Sequence, residues 1–309
     1  MFSSVIIWGH PLHSHTHSYI HNAFFRAFEA LGIPVQWTTT PEVAQKDALF
    51  ITEGQVDSDI PLRNDCYYLV HNCSDKYDKL PRHRVLRLQV FTWKCLDADE
   101  FEGKFIRMKD GCLYMPWATD LLPSEIDANL ANLEAIVAQQ ENRKVTFVGY
   151  WIGGPWDELR EYCRTNNLQL EHCGGFGNSN VTIEENQRRV QNAAYAPAFQ
   201  SDWQLENGYI PCRFFKNISY GGVGITTNRA VRELFDPVAE CITYRDTPSL
   251  AMDAIRNALP TLEQRKQAME FVRDHHTYLN RIQTIERAFQ TLSDTNAPLN
   301  TRRDLDAEQ

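Results

Sequence analysis

The strongest constraint on the fold is a set of short strands whose residues are apolar on both faces. Residues 4–8 are followed by a loop of Gly, His and Pro and by an amphipathic run from about residue 16 to residue 31, which Gly32 closes. This order of strand, loop and helix is a βα unit. Further strand-like runs lie at 35–37, 48–52, 67–70 and 85–91. Strands buried on both faces suit a mostly parallel sheet with helices on each side, so residues 1–117 are predicted to form a doubly wound α/β domain.

The same pattern starts again after a polar stretch at residues 139–144. The predicted elements are helices at 123–140, 156–166, 183–192, 229–235, 250–259 and about 261–292, with strand-like runs at 145–149, 168–172, 195–199, 224–227 and 240–244. We therefore expect a second α/β domain at 118–277, a last helix at 278–292 and a flexible tail at 293–309. Two such domains make a cleft, and ligands of open parallel sheets bind beyond the carboxyl ends of the strands.

Composition and charge exclude several classes of protein. With 43% hydrophobic and 23% charged residues, the 309-residue chain is neither disordered nor fibrous. The net charge of −9 argues against broad binding to nucleic acid or anionic lipid. The eight cysteines are scattered without a CxxC pair, which is typical of reduced thiols in the cytosol. The first apolar run is too short for a signal peptide, and none approaches the roughly 20 apolar residues of a membrane span, so we expect a cytoplasmic protein.

The most distinctive segment of the second half, residues 209–228, combines two cations with three glycines. Arg213 and Lys216 precede Gly221 and Gly222, and a short apolar strand follows from Gly224. Backbone N–H groups at a helix end, with the close approach that glycine permits, can hold an anion such as a diphosphate. The two cations would neutralise its charge. The alternative is that the glycines only turn the chain from helix to strand and that the cations are solvated.

This segment resembles the donor-nucleotide motif of GT-B-fold glycosyltransferases, in which a proline, a few apolar residues, a short helix ending in glycine and a strand follow one another. It is particularly similar to the spore-coat-type glycosyltransferase-like branch. Members of that branch often end in a helix that opens with His-Thr-Tyr-x-x-Arg, and residues 276–281 here read His-Thr-Tyr-Leu-Asn-Arg. The resemblance covers about residues 144–289. It implies two Rossmann-like domains facing each other across a cleft, with the last helix packing back toward the first domain.

The resemblance also implies that the second domain holds a nucleotide-sugar donor. Residues after the strand at 145–149 and near 195–199 would form the walls for base and ribose, and the segment from residue 213 would hold the diphosphate. The implied donor-binding residues are Gly149, Tyr150, Trp151, Pro197, Arg213, Phe214, Lys216, Asn217, Ser219, Tyr220 and Gly221. The acceptor would be a glycan or another hydroxyl compound bound by the first domain, with Trp8, Tyr19, His71, Asn72, Trp93 and Trp117 as candidates.

The pattern departs from that of the retaining enzymes at one point. Retaining members of the wider GT-B group usually carry two glutamates separated by seven residues. The corresponding positions here are Gly208 and Lys216. Without this pair, direct displacement with inversion at the anomeric carbon is the favoured mechanism.

Histidines are concentrated after the first strand, where five of the chain's ten lie within twelve residues. They are His10, His13, His15, His17 and His21. A histidine near its ordinary pKa of about 6.5 can accept the proton of an attacking hydroxyl. Many inverting GT-B enzymes have a catalytic histidine in the loop before the first helix, and the resemblance puts His15 at that place. His13 is the second candidate for the base and His17 the third, although any single one of these histidines could instead cap a helix or pack.

Other functions fit parts of the sequence. The alternation of His13, His15 and His17 after a strand is also typical of a metal site, which would make the protein a metal-dependent hydrolase. A non-catalytic sugar- or nucleotide-binding protein could use the same frame, and so could a sugar-nucleotide epimerase. For the transferase no metal cofactor is expected, because the resemblance is to the GT-B group and not to the GT-A kind, which carries an Asp-x-Asp metal signature.

Overall fold

Within the residues that the computed structural model describes, eight strands form the first sheet. Those residues are 1–9, 17–40, 45–95, 97–150, 153–174 and 181–295. The strands are β1 (Ser4–Trp8), β2 (Val35–Thr38), β3 (Ala48–Glu53), β4 (Tyr67–His71), β5 (Val85–Gln89), β6 (Asp99–Glu100), β7 (Arg107–Lys109) and β8 (Cys112–Tyr114). Their order is β2-β1-β3-β4-β5-β8-β7-β6. The first five neighbouring pairs in this order are parallel, and the last two pairs, β8 with β7 and β7 with β6, are antiparallel.

Successive residues of the central strands point into two apolar clusters on opposite faces of this sheet. Val5 and Ile7 of β1 pack on the face that helix α1 (His17–Ala30) covers. Ile6 and Trp8 point the other way, into a separate buried cluster. Side chains alternate along a strand, so a sheet covered on both faces needs strands that are apolar at every position. This packing explains the sequence pattern and confirms the predicted α/β class.

The second half contains two smaller parallel sheets that adjoin. One has the order β10-β9-β11, formed by β9 (Glu141–Val148), β10 (Gln169–Cys173) and β11 (Ala193–Tyr195). The other pairs β12 (Gly224–Thr226) with β13 (Ile242–Tyr244). The two sheets meet where the Ala198 amide donates to the Ile225 carbonyl at 2.9 Å. This is the second α/β unit that the sequence predicts.

Ten further helices surround these sheets within the described residues. They are α2 (Pro123–Ala131), α3 (Leu133–Gln139), α4 (Gly154–Thr165), α5 (Ile183–Asn192), α6 (Asp202–Glu206), α7 (Cys212–Ser219), α8 (Arg229–Leu234), α9 (Pro248–Asn257), α10 (Leu262–His275) and α11 (Tyr278–Thr295). In this part of the chain no helix is both long and apolar enough to cross a membrane.

Four details of the predicted elements are wrong. Strand β9 starts at Glu141, because the polar residues 141–143 extend it beyond the core with their side chains exposed. The helix predicted to reach residue 140 is broken at Asn132. The long last helix is broken at His276, and α11 restarts where the Thr277 amide donates to Asn280 Oδ1 at 2.9 Å. Helix α11 also continues to Thr295 rather than ending at residue 292, and residues 296–309 lie outside the described residues.

The chain crosses between the domains twice, and the two crossings lie side by side. The Thr119 amide of the first crossing donates to the His276 carbonyl of the second at 3.0 Å. Arg281 then holds both crossings with one guanidinium. It donates to the carbonyls of Pro116 (2.8 Å), Trp117 (3.1 Å) and His275 (3.2 Å). Burial lowers the pKa of Arg281 to about 10, so the group keeps its charge at neutral pH.

Two contacts away from these crossings also join the domains. Phe105, at the turn between β6 and β7, packs in the apolar cluster of the second domain. Phe91, just after β5, forms an isolated antiparallel bridge with Tyr209, which precedes α7. Helix α11 adds a third link, because Ile282, Ile285 and its other buried side chains lie in the cluster of the first sheet.

Phe289 gives a test of the packing of α11. Its ring is fully buried and meets Phe2 and Tyr67 edge to face at 5.6 and 5.3 Å. Phe289→Ala should therefore lower the free energy of unfolding by about 3–5 kcal/mol in urea denaturation. Gln290→Ala, at the exposed neighbouring position, should change it by less than about 0.5 kcal/mol. Equal effects of the two changes would contradict this packing.

Candidate active site

A cleft opens at the carboxyl end of β9, in the second domain. It lies between the end of that strand, the first turns of α4 and the segment that follows β11. We call it the β9 cleft, and its lining residues are Phe147, Tyr150, Pro155, Trp156, Leu159, Phe199, Gln200, Ser201, Gln204 and Arg213. Its position, at the carboxyl end of a parallel sheet, is where open α/β sheets bind ligands.

Arg213 is the cation of the β9 cleft. It lies in the first turn of α7, and its guanidinium donates to the carbonyls of Val148 (2.9 Å) and Phe199 (3.3 Å). Its planar group also stacks 4.2 Å from the centre of the Phe147 ring. Burial lowers the pKa of Arg213, but an arginine starts so high that it stays charged at neutral pH. A fixed positive charge therefore stands at the end of β9, beside the segment that follows β11.

Gly149 makes room for this guanidinium. Its φ of 143° lies in the range that favours glycine, and a Cβ atom at this position would overlap Nη1 of Arg213. The turn is held from both sides, because the Gly149 amide donates to the Cys173 carbonyl at 2.8 Å and its carbonyl lies 2.9 Å from His172 Nε2. The sequence predicts that another group approaches the backbone of Gly149 closely, and in the structure that group is the guanidinium of Arg213.

Helix α4 begins beside the β9 cleft with a glycine at its amino end. Gly153 is the N-cap and has a φ of 61°, and it has no side chain to accept from the first N–H groups of the helix. Pro155 follows within the first turn and lines the cleft. The partial positive charge of this helix end favours an anion.

Lys216 lies one turn after Arg213 on α7 and faces the first domain. Its ammonium forms an ion pair with Asp120 Oδ2 at 2.8 Å. It also lies 5.3 Å from the ring centre of Tyr19, in the first turn of α1. Burial lowers the pKa of Lys216, but Asp120 outweighs it, so the net pKa is raised and the side chain is charged at neutral pH. The structure therefore brings α7 into contact with the start of α1.

The glycine bend after α7 ends the helix. Here the amides of Tyr220, Gly221 and Gly222 donate to the carbonyls of Lys216, Ile218 and Asn217. Gly221 has a φ of 92°, as expected of a glycine that follows a helix. These N–H groups are already bonded within the turn, so the bend is not the anion cradle that the sequence suggested. The alternative, that the glycines turn the chain, describes it.

Five other predicted donor residues are buried inside the second domain. Asn217 donates to the Ala196 carbonyl at 2.7 Å, and the Ser219 and Thr119 hydroxyls lie 2.7 Å apart. The Tyr220 hydroxyl donates to Asp120 Oδ1 at 2.7 Å. Phe214 is fully buried in the apolar cluster, and Pro197 is buried as well. Of the predicted set, Tyr150 and Arg213 line the β9 cleft, and Gly149 lies against the Arg213 guanidinium beside it.

Four of the singled-out residues lie outside the described part of the chain. They are His10, His13, His15 and Trp151. His17 is the first residue of α1. Among the described residues no three His, Cys, Asp or Glu side chains are grouped closely enough to hold a metal ion. His13 and His15 fall outside that comparison, so both the base and the metal interpretation of the cluster stay predictions.

The carboxyl edge of the first sheet carries an acidic residue that the sequence analysis missed. Glu53 ends β3 and pairs in register with His71, which ends β4. Both side chains are buried, and the His71 ring meets Trp117 edge to face at 5.2 Å. The sequence feature that could have identified Glu53 is its position, as a charged residue directly after the apolar run at 48–52.

Comparison with known proteins identifies the family. A family model described as "Glycosyl transferase-like" matches residues 131–287, just over half of the chain. The chain belongs to this glycosyl transferase-like family. No curated protein matches it. Among the solved structures that align with it are two, each at 12% identity. The crystal structure of an alpha1,3-fucosyltransferase covers 94% of this chain and 89% of its own, with a TM-score of 0.49. That of an alpha1,3-fucosyltransferase with GDP covers 95% and 90%, with a TM-score of 0.47.

The family match spans the β9 cleft, Arg213 and Lys216, and it leaves the first sheet outside. It confirms the resemblance to glycosyltransferases at the level of the family. The spore-coat-type branch within it stays a prediction.

The requirement for glycine at position 149 can be tested by substitution. Gly149→Ala should lower the free energy of unfolding by about 1–3 kcal/mol, because the new Cβ meets Arg213 and the backbone keeps a φ that alanine disfavours. Gly154→Ala is the control, since nothing lies within 4 Å of its added Cβ, and it should change stability by less than about 0.5 kcal/mol. Urea denaturation of both proteins checks this, and a stable Gly149→Ala protein would contradict the described turn.

Proposed function

We propose that this family member transfers a sugar from a nucleotide-sugar donor to a hydroxyl acceptor. Family membership supports glycosyl transfer. The observation that carries the proposal is the position of Arg213, whose guanidinium stands at the carboxyl end of β9 beside Gly149 and the start of α4. A fixed cation next to a helix amino end suits a diphosphate group.

In this proposal the second domain binds the donor at the β9 cleft. Arg213, the amino end of α4 and Lys216 offset the negative charge that grows on the diphosphate as it leaves. Tyr150, which lines the cleft, would offer aromatic surface for the base, and Trp151 and Pro197 are the other wall residues that we propose. Because protein cations and backbone dipoles supply the positive charge, we propose that transfer requires no metal ion.

The acceptor side belongs to the first domain. The contact of Lys216 with Tyr19 supports a short distance between the donor cleft and the start of α1, which the histidine segment precedes. We propose that His15 accepts the proton of the acceptor hydroxyl as its oxygen attacks the anomeric carbon, with His13 and then His17 as the other candidates. The displacement inverts the anomeric configuration, and the acceptor is proposed to be a glycan.

Arg213→Lys tests donor binding. It keeps the charge but loses the planar fork that reaches two carbonyls, so the Kd for a nucleoside diphosphate should rise about tenfold or more. GDP, UDP and ADP are titrated by calorimetry, with melting temperature as a second measurement. Arg164→Lys, on an exposed turn of α4, is the matched control and should leave the Kd within about twofold. Absence of binding by the unaltered protein at millimolar nucleotide would contradict the proposal.

His15→Ala tests the base. It should lower kcat for transfer by about 100-fold or more while leaving nucleotide affinity unchanged. The kcat/KM of the unaltered enzyme should fall as pH drops below about 6.5, since a protonated histidine cannot accept a proton. His83→Ala, in a surface turn, is the control.

Turnover of UDP-, GDP- and ADP-sugars is followed by NMR, with and without EDTA. An inverted product and a rate that EDTA leaves unchanged are expected. A retained configuration, or loss of nucleotide affinity in His15→Ala, would overturn the assigned role.

A further inference from the structure

We propose that Asp120 is a positioning residue of the donor site, which holds the Lys216 ammonium in place for the donor diphosphate. This inference rests on the proposed function, because it assigns a partner to a cation of the same site. Asp120 does not line the β9 cleft. It would therefore act through Lys216 alone.

Asp120 lies where three parts of the chain meet. It follows Thr119 in the first crossing between the domains, and its side chain is 1% exposed. One carboxylate oxygen accepts from Tyr220 at 2.7 Å, and the other pairs with Lys216 at 2.8 Å. Its backbone carbonyl accepts from Arg26 of α1 at 2.7 Å. The carboxylate is thus fixed relative to α1, α7 and the crossing.

Lys216 depends on this carboxylate for its position. The lysine side chain is 10% exposed, and Asp120 is the carboxylate within ion-pair distance of it among the described residues. A flexible four-carbon side chain with a buried ammonium takes a defined position only where an acceptor holds it. Here that acceptor directs the ammonium toward the interface of α7 with the first turn of α1, next to Tyr19.

The position of Lys216 relative to Arg213 makes the pair relevant to the donor. Both are on α7, three residues apart, so their side chains leave neighbouring parts of the same helix surface. Arg213 lines the β9 cleft and Lys216 faces the other domain. A diphosphate that reaches out of the cleft toward an acceptor in the first domain would meet Arg213 and then Lys216. Phosphoryl-transfer enzymes use the same device, in which an acidic residue holds the lysine that contacts phosphate.

The test is a double-mutant cycle on donor affinity. Asp120→Asn should raise the Kd for the nucleoside diphosphate that the unaltered protein binds best, among GDP, UDP and ADP, by about tenfold. The KM for the matching sugar nucleotide should rise in parallel, while kcat falls less. In a Lys216→Met background the same change should alter the Kd by less than about twofold, because the group through which Asp120 acts is gone.

Asp57→Asn is the matched control. Asp57 is also buried, accepts from Tyr77 at 2.9 Å and pairs with Lys76 at 2.9 Å, but it lies in the first domain. Its change should lower stability without changing the Kd. If Asp120→Asn does not fold, Asp120→Glu keeps the charge, displaces it by one methylene and should raise the Kd at least about threefold.

An unchanged Kd in a folded Asp120 variant would overturn the inference, and so would an equal loss of affinity in the Lys216→Met background. Either result leaves the proposed function standing if Arg213→Lys still weakens binding. If the unaltered protein binds none of the three nucleotides, both the proposed function and this inference are overturned.

Discussion

The arrangement of the two domains depends on one buried cation, the guanidinium of Arg281. A charged group in the interior is tolerated only when its donors are satisfied, and here three backbone carbonyls from both chain crossings satisfy it. The consequence is geometric. Because the same planar group bonds residues 116–117 and residue 275, neither crossing can shift without losing hydrogen bonds in a buried site. This contact helps to fix the spacing between the carboxyl edge of the eight-stranded sheet and that of the sheet that contains β9, and with it any site between them.

Arginine and lysine have different roles in three cations of this structure, which are Arg281 and Lys216 between the domains and Arg213 in the β9 cleft. Arg281 and Arg213 each bind carbonyl oxygens, which needs a rigid planar group with several diverging donors. Lys216 carries a compact charge and is held by a carboxylate instead. A guanidinium bound to carbonyls keeps its full positive charge available to a ligand, whereas a lysine paired with aspartate presents a charge that is partly neutralised and a position that is set by its partner. The proposed donor site contains one cation of each kind, Arg213 bound to carbonyls and Lys216 paired with Asp120.

Much of the fold could be predicted from local patterns, because strands buried on both faces and a glycine after a helix have local causes. Arg213 and Lys216 could be singled out in the same way, as cations in a short helix before glycines. The residues that they contact could not be predicted from the sequence. Asp120 is distant in sequence from Lys216, and nothing around it distinguishes it from an exposed acid. Glycines at a helix end and glycines in an anion site have the same sequence pattern. The role of the bend at Gly221 therefore follows only from the partners of its N–H groups. Glu53 became visible only through its register with His71.

The last helix supplies part of the first domain's interior. Helix α11 places Ile282, Ile285 and Phe289 against the sheet that begins at residue 4, so the first strands are covered by a helix that is synthesised only after the second α/β unit. During synthesis the first sheet therefore keeps an apolar face uncovered until the second α/β unit has been made. A chain truncated before residue 278 would leave this apolar face of the sheet uncovered, and the long separation between the two partners ties completion of the first domain to the synthesis of α11.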